Sequence, residues 1–354
     1  MASKRVLTGA TVTLAVVALG IGLFRFFPER MTKNGARVAV PRTSQAAPAP
    51  SAPTPPRVPV RASREAKVEQ VFRAPWGGRN RELGRKAADE SSPEGPMAFA
   101  VDGSGRSYVL DQVNGRVAVF ESGREPRSIP VPADTFQDVA LTKSGGLALL
   151  DRLKDGTVAF TDASGRVSHE VAIAGEGIQD AGDVTGLFQR DDGTWLEVSH
   201  ANLVKVADAD GAPLDDRVIV QGRFGGTDRV LRASRSGDRA AFVAERNARG
   251  VSPRAKGSFD LPLRELLELD VDPKGNVVLA ASLLEEGPAP NFDVLDAREV
   301  VVLLDPRGAE LARVELPASV GPEESFRRIR VGADGAIYHL GFEESGAIMR
   351  RIWQ

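Results

Sequence analysis

Most of the chain repeats one short pattern, and this repeat limits the folds that are open to it. Each copy has a short alternating segment, a turn that contains glycine, and a second segment rich in Val, Leu, Ala and aromatic residues. Tight turns between paired strands favour positive φ, which a residue with a Cβ resists. Each copy is therefore predicted to contain a β-hairpin. Six copies can be aligned on the glycine, at Gly105, Gly146, Gly193, Gly237, Gly275 and Gly335.

The spacing of the copies predicts how the hairpins assemble. Aligned glycines are separated by 38 residues (Gly237 to Gly275) to 60 residues (Gly275 to Gly335), which suits a four-stranded propeller blade. Most copies are followed by a second hairpin, with turns such as Asp162–Gly165. One such sheet cannot bury both faces, whereas sheets stacked radially around an axis can. We therefore predict an all-β fold, a six-bladed β-propeller with four-stranded blades, over residues 67–354, with five or seven blades as alternatives.

The two ends of the repeat region predict how the ring closes. The last copy ends with residues 347–353, which would be its third strand, so it lacks a fourth. A lone strand at 68–72 precedes the first copy. We expect this early strand to complete the last blade. The fourth copy departs from the pattern, because residues 246–262 contain no clear outer hairpin.

The fifth copy carries an insertion between Leu284 and Ala297. An insertion with several prolines is predicted to form a loop on one face of the propeller, and surface loops often carry binding functions. Pro288, Pro290 and Phe292 are the candidate partner-contact residues of this loop.

The N-terminus carries an uncharged hydrophobic segment. Val6 to Phe24 contains nineteen residues without a charge. At ~1.5 Å per residue, a helix of that length spans about 28 Å, close to the thickness of the bilayer core. We predict that residues 1–27 are a membrane anchor (signal anchor) with a single span. A cleaved secretory signal is the alternative, because basic residues precede the segment and Ala18–Gly20 resembles a cleavage site.

Residues 28–66 are predicted to form a disordered, basic linker. Closely spaced prolines between Ala46 and Pro56 favour an extended polyproline-like chain. Contact of the basic residues with anionic lipid or an acidic cell-wall polymer is an alternative to a solvated spacer. The positive charges after the anchor, taken alone, favour a cytoplasmic C-terminus. The short basic head favours export, so we predict a propeller in the periplasm or outside the cell.

Composition excludes several kinds of chemistry. With 46 Lys and Arg residues against 48 Asp and Glu residues, the chain has no electrostatic signature of a nucleic-acid-binding protein. The absence of cysteine excludes disulfides, thiolate metal sites and cysteine nucleophiles. The sequence also lacks the short motifs of zinc proteases, serine hydrolases, P-loop NTPases and dinucleotide-binding enzymes. We predict no cofactor and no nucleic-acid partner.

The first copy resembles an NHL repeat. Pro96, Tyr108, Asp111, Asn114 and Arg116 stand in the order that recurs in that family. The resemblance extends to the other copies in part, and it implies a propeller fold. In that family the fold contacts proteins, RNA or sugar polymers, and related six-bladed enzymes hydrolyse lactones with a metal ion. Asp111, Asn114 and Arg116 could line a ligand site at a blade end, or they could build a turn through side-chain hydrogen bonds.

Two histidines and one acidic run have both a functional and a structural interpretation. His200 and His339 could face a central channel and hold a metal ion, or they could be hydrogen-bonded residues of the sheets. The acidic run has part of the spacing of a calcium loop but lacks its terminal glutamate, so a hairpin turn is favoured. Its members are Asp208, Asp210, Asp215 and Asp216.

The sequence therefore favours a binding protein over an enzyme. We predict a membrane-anchored propeller that presents a surface to a protein or cell-wall partner outside the cytoplasm. The alternative is a metal-dependent, lactonase-like or lyase-like propeller enzyme.

Overall fold

The computed structural model describes residues 66–87, 93–225, 229–319 and 325–353, together with the backbone of residues 61–62. The predicted anchor and most of the predicted linker lie outside the described residues. Within the described part of the chain, no helix has the length and hydropathy needed to cross a membrane. Regular structure there consists of strands and two short 3-10 helices, Gln112–Asn114 and Ala181–Asp183.

The strands form six antiparallel sheets. The chain enters through β1 (Arg61–Ala62) and β2 (Lys67–Pro75). Blade 1 contains β3 (Ala98–Val101), β4 (Ser107–Asp111), β5 (Arg116–Phe120) and β6 (Arg127–Pro130). Blade 2 contains β7 (Asp138–Leu141), β8 (Leu147–Asp151), β9 (Thr157–Thr161) and β10 (Val167–Ala172). Blade 3 contains β11 (Val184–Arg190), β12 (Gly193–Val198), β13 (Asn202–Ala207) and β14 (Pro213–Gln221).

The second half of the chain forms the remaining three blades. Blade 4 contains β15 (Arg223–Phe224), β16 (Val230–Arg235), β17 (Ala240–Asn247) and β18 (Gly250–Ser258). Blade 5 contains β19 (Leu263–Val271), β20 (Val277–Glu286), β21 (Val294–Leu304) and β22 (Glu310–Pro317). Blade 6 contains β23 (Ile329–Val331), β24 (Ile337–Glu343) and β25 (Gly346–Trp353), and β2 is its fourth strand.

These sheets confirm the predicted six-bladed propeller with four-stranded blades. The first strands of neighbouring blades contact one another, β3 with β7, β7 with β11 and β19 with β23, so they line the axis of the ring. Apolar side chains fill the space between neighbouring sheets. Val243 of blade 4 and Leu279 of blade 5, for example, are fully buried in one cluster. Stacking of the blades thus buries the faces that a single sheet leaves exposed.

The early strand closes the ring, as the sequence predicts. β2 pairs with β25 from Lys67 opposite Trp353 to Pro75 opposite Gly346. Its Phe72 ring stacks on Phe120 of blade 1 with the centroids 3.9 Å apart. The first part of the chain therefore joins the last blade to the first.

Two residues of the predicted linker also join a sheet. The two-residue strand β1 pairs with β22, with Arg61 opposite Glu315 and Ala62 opposite Val314. Blade 5 is therefore five-stranded, and the chain passes from the outer edge of blade 5 to the outer edge of blade 6.

Blade 4 explains the weak fourth copy of the repeat. Residues 246–262 do contain a strand, because β18 pairs with β17, but no further strand follows it before β19. The fourth strand of the sheet is instead the two-residue β15 at the inner edge. The turn at Gly237 therefore lies between the second and third strands of this blade, one strand farther out than in the other copies.

The insertion in blade 5 is mostly strand, so the predicted loop is too long. β20 and β21 extend into it, with Leu284 opposite Ala297 and Glu286 opposite Val294. Only residues 287–293 form the turn at the tip of this hairpin. Inter-strand hydrogen bonds continue through the insertion, and they turn it into a long protruding hairpin.

The aligned glycine of the second copy is Gly145 rather than Gly146. Gly145 has the positive φ of the turn, +83°, whereas Gly146 does not have a positive φ. A Cβ on Gly146 would lie 1.8 Å from Thr161 O. This glycine is therefore required for the close approach of two strands rather than for the turn.

Candidate functional site

Residues 325–328, the described part of the segment that leads into blade 6, lie against blades 1, 2 and 3. The backbone amides of Phe326 and Arg327 both donate to Met97 O, beside the start of blade 1, at 2.7 and 3.0 Å. The Phe326 side chain packs against the apolar clusters that join blade 1 to blade 2 and blade 2 to blade 3. These residues therefore join the start of blade 6 to blades 1, 2 and 3.

Arg327 lies at the centre of this arrangement, with only 5% of its surface exposed. Its guanidinium lies over the Phe188 ring, 4.2 Å from the centroid, and its Nη1 donates to Leu187 O at 3.3 Å. Gly186 provides the space, because a Cβ there would lie 2.1 Å from Arg327 Nη2. Since Gly186 does not have a positive φ, the glycine is needed for space and not for backbone conformation.

Substitution of Gly186 by alanine is expected to lower the free energy of unfolding by about 1–3 kcal/mol, the usual cost of overpacking a buried site. The added methyl group would displace the buried guanidinium from Phe188. Gly103→Ala is the matched control, because its Cβ would meet no atom within 4 Å. Urea denaturation of both variants measures the difference, and equal stability of the two would contradict this role of Gly186.

Charged side chains from blades 2 to 6 meet around Arg327. Three buried carboxylates, those of Asp138, Glu197 and Glu268, each have an arginine partner, which offsets the cost of removing them from water. The ion pairs are Arg330 with Asp138, Arg327 with Asp138 at 3.7 Å, Arg327 with Glu268 at 3.8 Å, Arg223 with Glu268, and Arg223 with Glu197. We call these six residues the axial network.

The axial network shifts the proton affinities of its members. Burial alone would raise the pKa of Glu197, but hydrogen bonds from His200 and Arg223 and the arginine charges hold it well below its usual range. Burial lowers the pKa of Arg330 to about 10, despite the attraction of Asp138. Because Arg330 and Glu197 both stay charged near neutral pH, the network is a set of fixed ion pairs.

A cavity of about 290 Å³, the axial pocket, extends from Arg327 toward the opposite end of the inner strands. Its apolar walls come from blades 1, 2 and 6, namely Ala100, Val101, Ala140, Leu141 and Val331. Its charged lining residues are Arg190, Glu268, Asp270, Arg327 and Arg330. Arg327 joins the pocket to the axial network.

A second cavity of about 350 Å³ lies beside the axis between blades 4 and 5. His200 and Glu197 line it, and the two side chains are joined by a 3.2 Å contact between His200 Nδ1 and Glu197 Oε2. Thr185 also donates to that carboxylate oxygen at 3.0 Å. A histidine whose Nδ1 is held by a carboxylate keeps Nε2 for proton exchange, which is the arrangement of a general base.

The blade-end residues named from the sequence lie together in a buried polar cluster. Asp111 accepts hydrogen bonds from Arg116 Nε at 2.8 Å, from Asn114 Nδ2 at 2.9 Å and from the backbone amide of Gly84 at 2.7 Å. Arg116 also donates to Arg79 O at 2.9 Å. Gly84 and Arg79 belong to the loop that follows β2, so the cluster attaches this loop to blade 1. This is the structural interpretation of the three residues.

The candidate partner-contact residues occupy the tip of the blade 5 hairpin. Pro288, Pro290 and Phe292 are exposed there, and 56% of Phe292 is accessible to solvent. Val294 and Leu295, which the sequence analysis did not single out, are also exposed. We call residues 288–295 the blade 5 tip.

The remaining polar candidates are parts of the sheets and turns. His339 is fully buried, and its Nε2 lies 2.7 Å from Glu299 Oε2, so it is a hydrogen-bonded sheet residue. Asp208 accepts from the backbone amides of Asp210 and Ala212, both at 2.9 Å, which makes a hairpin turn. Among the described residues, no group of three or more His, Asp or Glu side chains is placed to hold a metal ion.

No protein-family model and no curated protein matches this sequence. Similar solved structures include virginiamycin B lyase from Staphylococcus aureus, with 10% identity, a TM-score of 0.42, and coverage of 82% of this chain and 100% of the lyase. A DUF4221 family member from Bacteroides vulgatus has 8% identity, a TM-score of 0.48, and coverage of 82% and 98%. The extracellular domain of a hybrid two-component system from B. thetaiotaomicron has 12% identity, a TM-score of 0.39, and coverage of 79% and 41%. The more specific NHL assignment stays a prediction.

Proposed function

We propose that this propeller is a binding domain that holds a protein partner through the blade 5 tip. The supporting observation is the concentration of exposed apolar side chains there. Phe292, Val294 and Leu295 are 56%, 47% and 56% exposed. Single exposed apolar residues are ordinary, but three of them within four positions at the end of a hairpin favour an interaction site.

The charges around the tip favour one kind of partner surface. Glu286 and Asp293 are exposed beside the apolar residues. Apolar anchors fill pockets at the centre of protein interfaces, whereas charges at the rim select partners and set the association rate. The partner surface proposed here is therefore an apolar pocket with basic residues at its rim.

The predicted N-terminal segments complete the proposal. A single span at 1–27 would attach the propeller to a membrane, and the linker at 28–66 would hold it at a distance from the bilayer. In this proposal the domain lies in the periplasm or outside the cell and recruits its partner to the cell envelope. A cell-wall polymer that binds the basic linker would be a second contact.

Replacement of Phe292 and Leu295 by serine is expected to weaken partner binding strongly and to leave stability unchanged. Loss of a central apolar anchor costs ~2 kcal/mol, or roughly 30-fold in Kd. Leu153→Ser is the matched control, because Leu153 is 66% exposed but lies in blade 2. The measurement is quantitative affinity purification of the full chain from its native membranes, with thermal unfolding to establish folding.

Two results would contradict the proposal. One is an equal loss of partners in the Leu153 control, which would indicate nonspecific adhesion. The other is full recovery of the same partners by a chain from which the propeller has been deleted. The alternative enzymatic function, a lactonase-like or lyase-like activity, stays a prediction, and the pair of His200 and Glu197 is where its proton transfer would be sought.

A further inference from the structure

The axial pocket contains one carboxylate without an ionic partner. Among the described residues, the Asp270 carboxylate has no Lys, Arg or His nitrogen within 4.0 Å, and the hydrogen bond that it accepts comes from the backbone amide of Val271, at 2.7 Å. The other carboxylates of the axis, Asp138, Glu197 and Glu268, are neutralised by arginines. Asp270 is therefore the acidic group of the pocket that is left for a ligand.

Burial makes a cationic ligand favourable at Asp270. Burial raises the pKa of Asp270, although the surrounding arginines act in the opposite direction. Asp270 is half-buried; a carboxylate that is partly removed from water and has no ionic partner is costly, and a cation that donates hydrogen bonds to it reduces that cost. The pocket supplies no set of three or more acidic or histidine ligands for a metal ion within the described residues, and Ala100, Ala140, Leu141 and two valines form an apolar part of its wall beside the charged residues. These features suit an organic ammonium group with a short aliphatic body.

Arg190 adds a second charge to the same pocket. Its side chain is 41% exposed, and its contact with Asp192 is long, 3.9 Å, to a carboxylate that is itself 53% exposed. The Arg190 guanidinium lies 3.9 Å above the Phe224 ring, which holds its position. Arg190 is the last residue of β11, at the far end of the pocket from Arg327, where its guanidinium can bind a carboxylate.

We propose that the axial pocket binds a small amino acid-like zwitterion, with the ammonium group at Asp270 and the carboxylate at Arg190. The volume of about 290 Å³ corresponds to ~10 water molecules at roughly 30 Å³ each, enough for a molecule of this class. This site is distinct from the blade 5 tip, so it does not depend on the proposed protein partner.

The test uses the full chain in a non-ionic detergent and three matched series of probes. These are unbranched ω-amino acids from glycine to 6-aminohexanoate, alkylamines of the same lengths, and alkanoates of the same lengths. Ligand-observed NMR titration gives the affinities. We expect at least one ω-amino acid to bind more tightly than its matched amine, and the matched alkanoate to bind weakest.

Two substitutions separate the charged contacts. Asp270→Asn should weaken binding of ω-amino acids and amines by at least about tenfold, whereas Asp191→Asn, at a fully exposed carboxylate of blade 3, should change nothing. Arg190→Gln should weaken the ω-amino acids about fivefold and leave the amines unchanged. Titrations of the unchanged protein are enough to overturn the proposal. They would do so if alkanoates bound as tightly as ω-amino acids, or if no series bound.

Discussion

Removal of residues 1–76 is expected to prevent folding of the propeller, whereas removal of residues 1–60 is expected to leave it intact. The longer deletion takes away β2, so one edge of β25 loses its partner and the ring is open. It also deletes Phe72, which stacks on Phe120, and Ala74, which is fully buried. The stacked aromatic pair alone contributes about 0.5–1.5 kcal/mol beyond the area that it buries, and every hydrogen bond between β2 and β25 is lost with it, against a total stability of about 5–15 kcal/mol for a typical domain.

Circular dichroism during heating distinguishes the two chains. The chain of residues 61–354 should unfold in one cooperative transition at the midpoint of the full protein. The chain of residues 77–354 should give no such transition. Equal midpoints would mean that the ring does not depend on its N-terminal strand.

Arg327→Met is expected to lower the free energy of unfolding by about 3 kcal/mol, at the lower end of the cost of breaking a buried ion pair. The methionine fills much of the same volume, but it leaves Asp138 and Glu268 with one arginine each, Arg330 and Arg223. Arg124→Met is the control, since Arg124 is 72% exposed and its pair with Glu121 lies on the surface. That control should change stability by less than about 1 kcal/mol.

Urea denaturation at neutral pH measures both arginine variants. A double-mutant cycle of Arg327→Met with Asp138→Asn should reveal a coupling of at least about 0.5 kcal/mol, because the two charges belong to one network. If the effects of the two substitutions on the free energy of unfolding were additive, Arg327 and Asp138 would not interact, and the axial network as defined here would be wrong.

The blades could be predicted from the sequence because each hairpin is specified by residues that are close together in the chain. Each turn glycine and each pair of alternating strands specifies a hairpin, and the pairing of β2 with β25 follows from the lone early strand and the incomplete last copy. Blade 4 departed from the prediction because its Gly237 turn lies between its second and third strands. The pattern of residues alone does not distinguish that hairpin from an inner one.

The axial network could not be predicted, because it forms only when the ring closes. Asp138, Arg223 and Arg327 are not at equivalent positions of the repeat, and 189 residues separate the first from the last. One signal was available, namely a charged residue between two apolar residues of an inner strand, such as Glu268 between Leu267 and Leu269. Such a residue has to find a partner at the axis.

The polar cluster of blade 1 could be predicted from the sequence, because its members are close together in the chain. Asp111, Asn114 and Arg116 lie within six residues of one another, and the turn that they build depends on local hydrogen bonds. The predicted loop between Leu284 and Ala297 contains the blade 5 tip, but the exposed residues Val294 and Leu295 were not named as candidate contacts.

The closure of the ring can be tested directly, because the chain contains no cysteine of its own. Glu69 pairs with Arg351 and Val68 with Ile352. In an antiparallel sheet, facing residue pairs alternate between a hydrogen-bonded and a non-hydrogen-bonded geometry, and the Cα atoms are closer in the second kind. The pair with the closer Cα atoms suits a disulfide. Mild oxidation of the full chain carrying Glu69→Cys with Arg351→Cys, or Val68→Cys with Ile352→Cys, should therefore give a linked peptide by mass spectrometry in at least one case. Glu69→Cys with Met349→Cys should give none. Linkage in none of the pairs would contradict a propeller closed by its N-terminal strand, whereas linkage only in the shifted pair would contradict the register of β2 on β25.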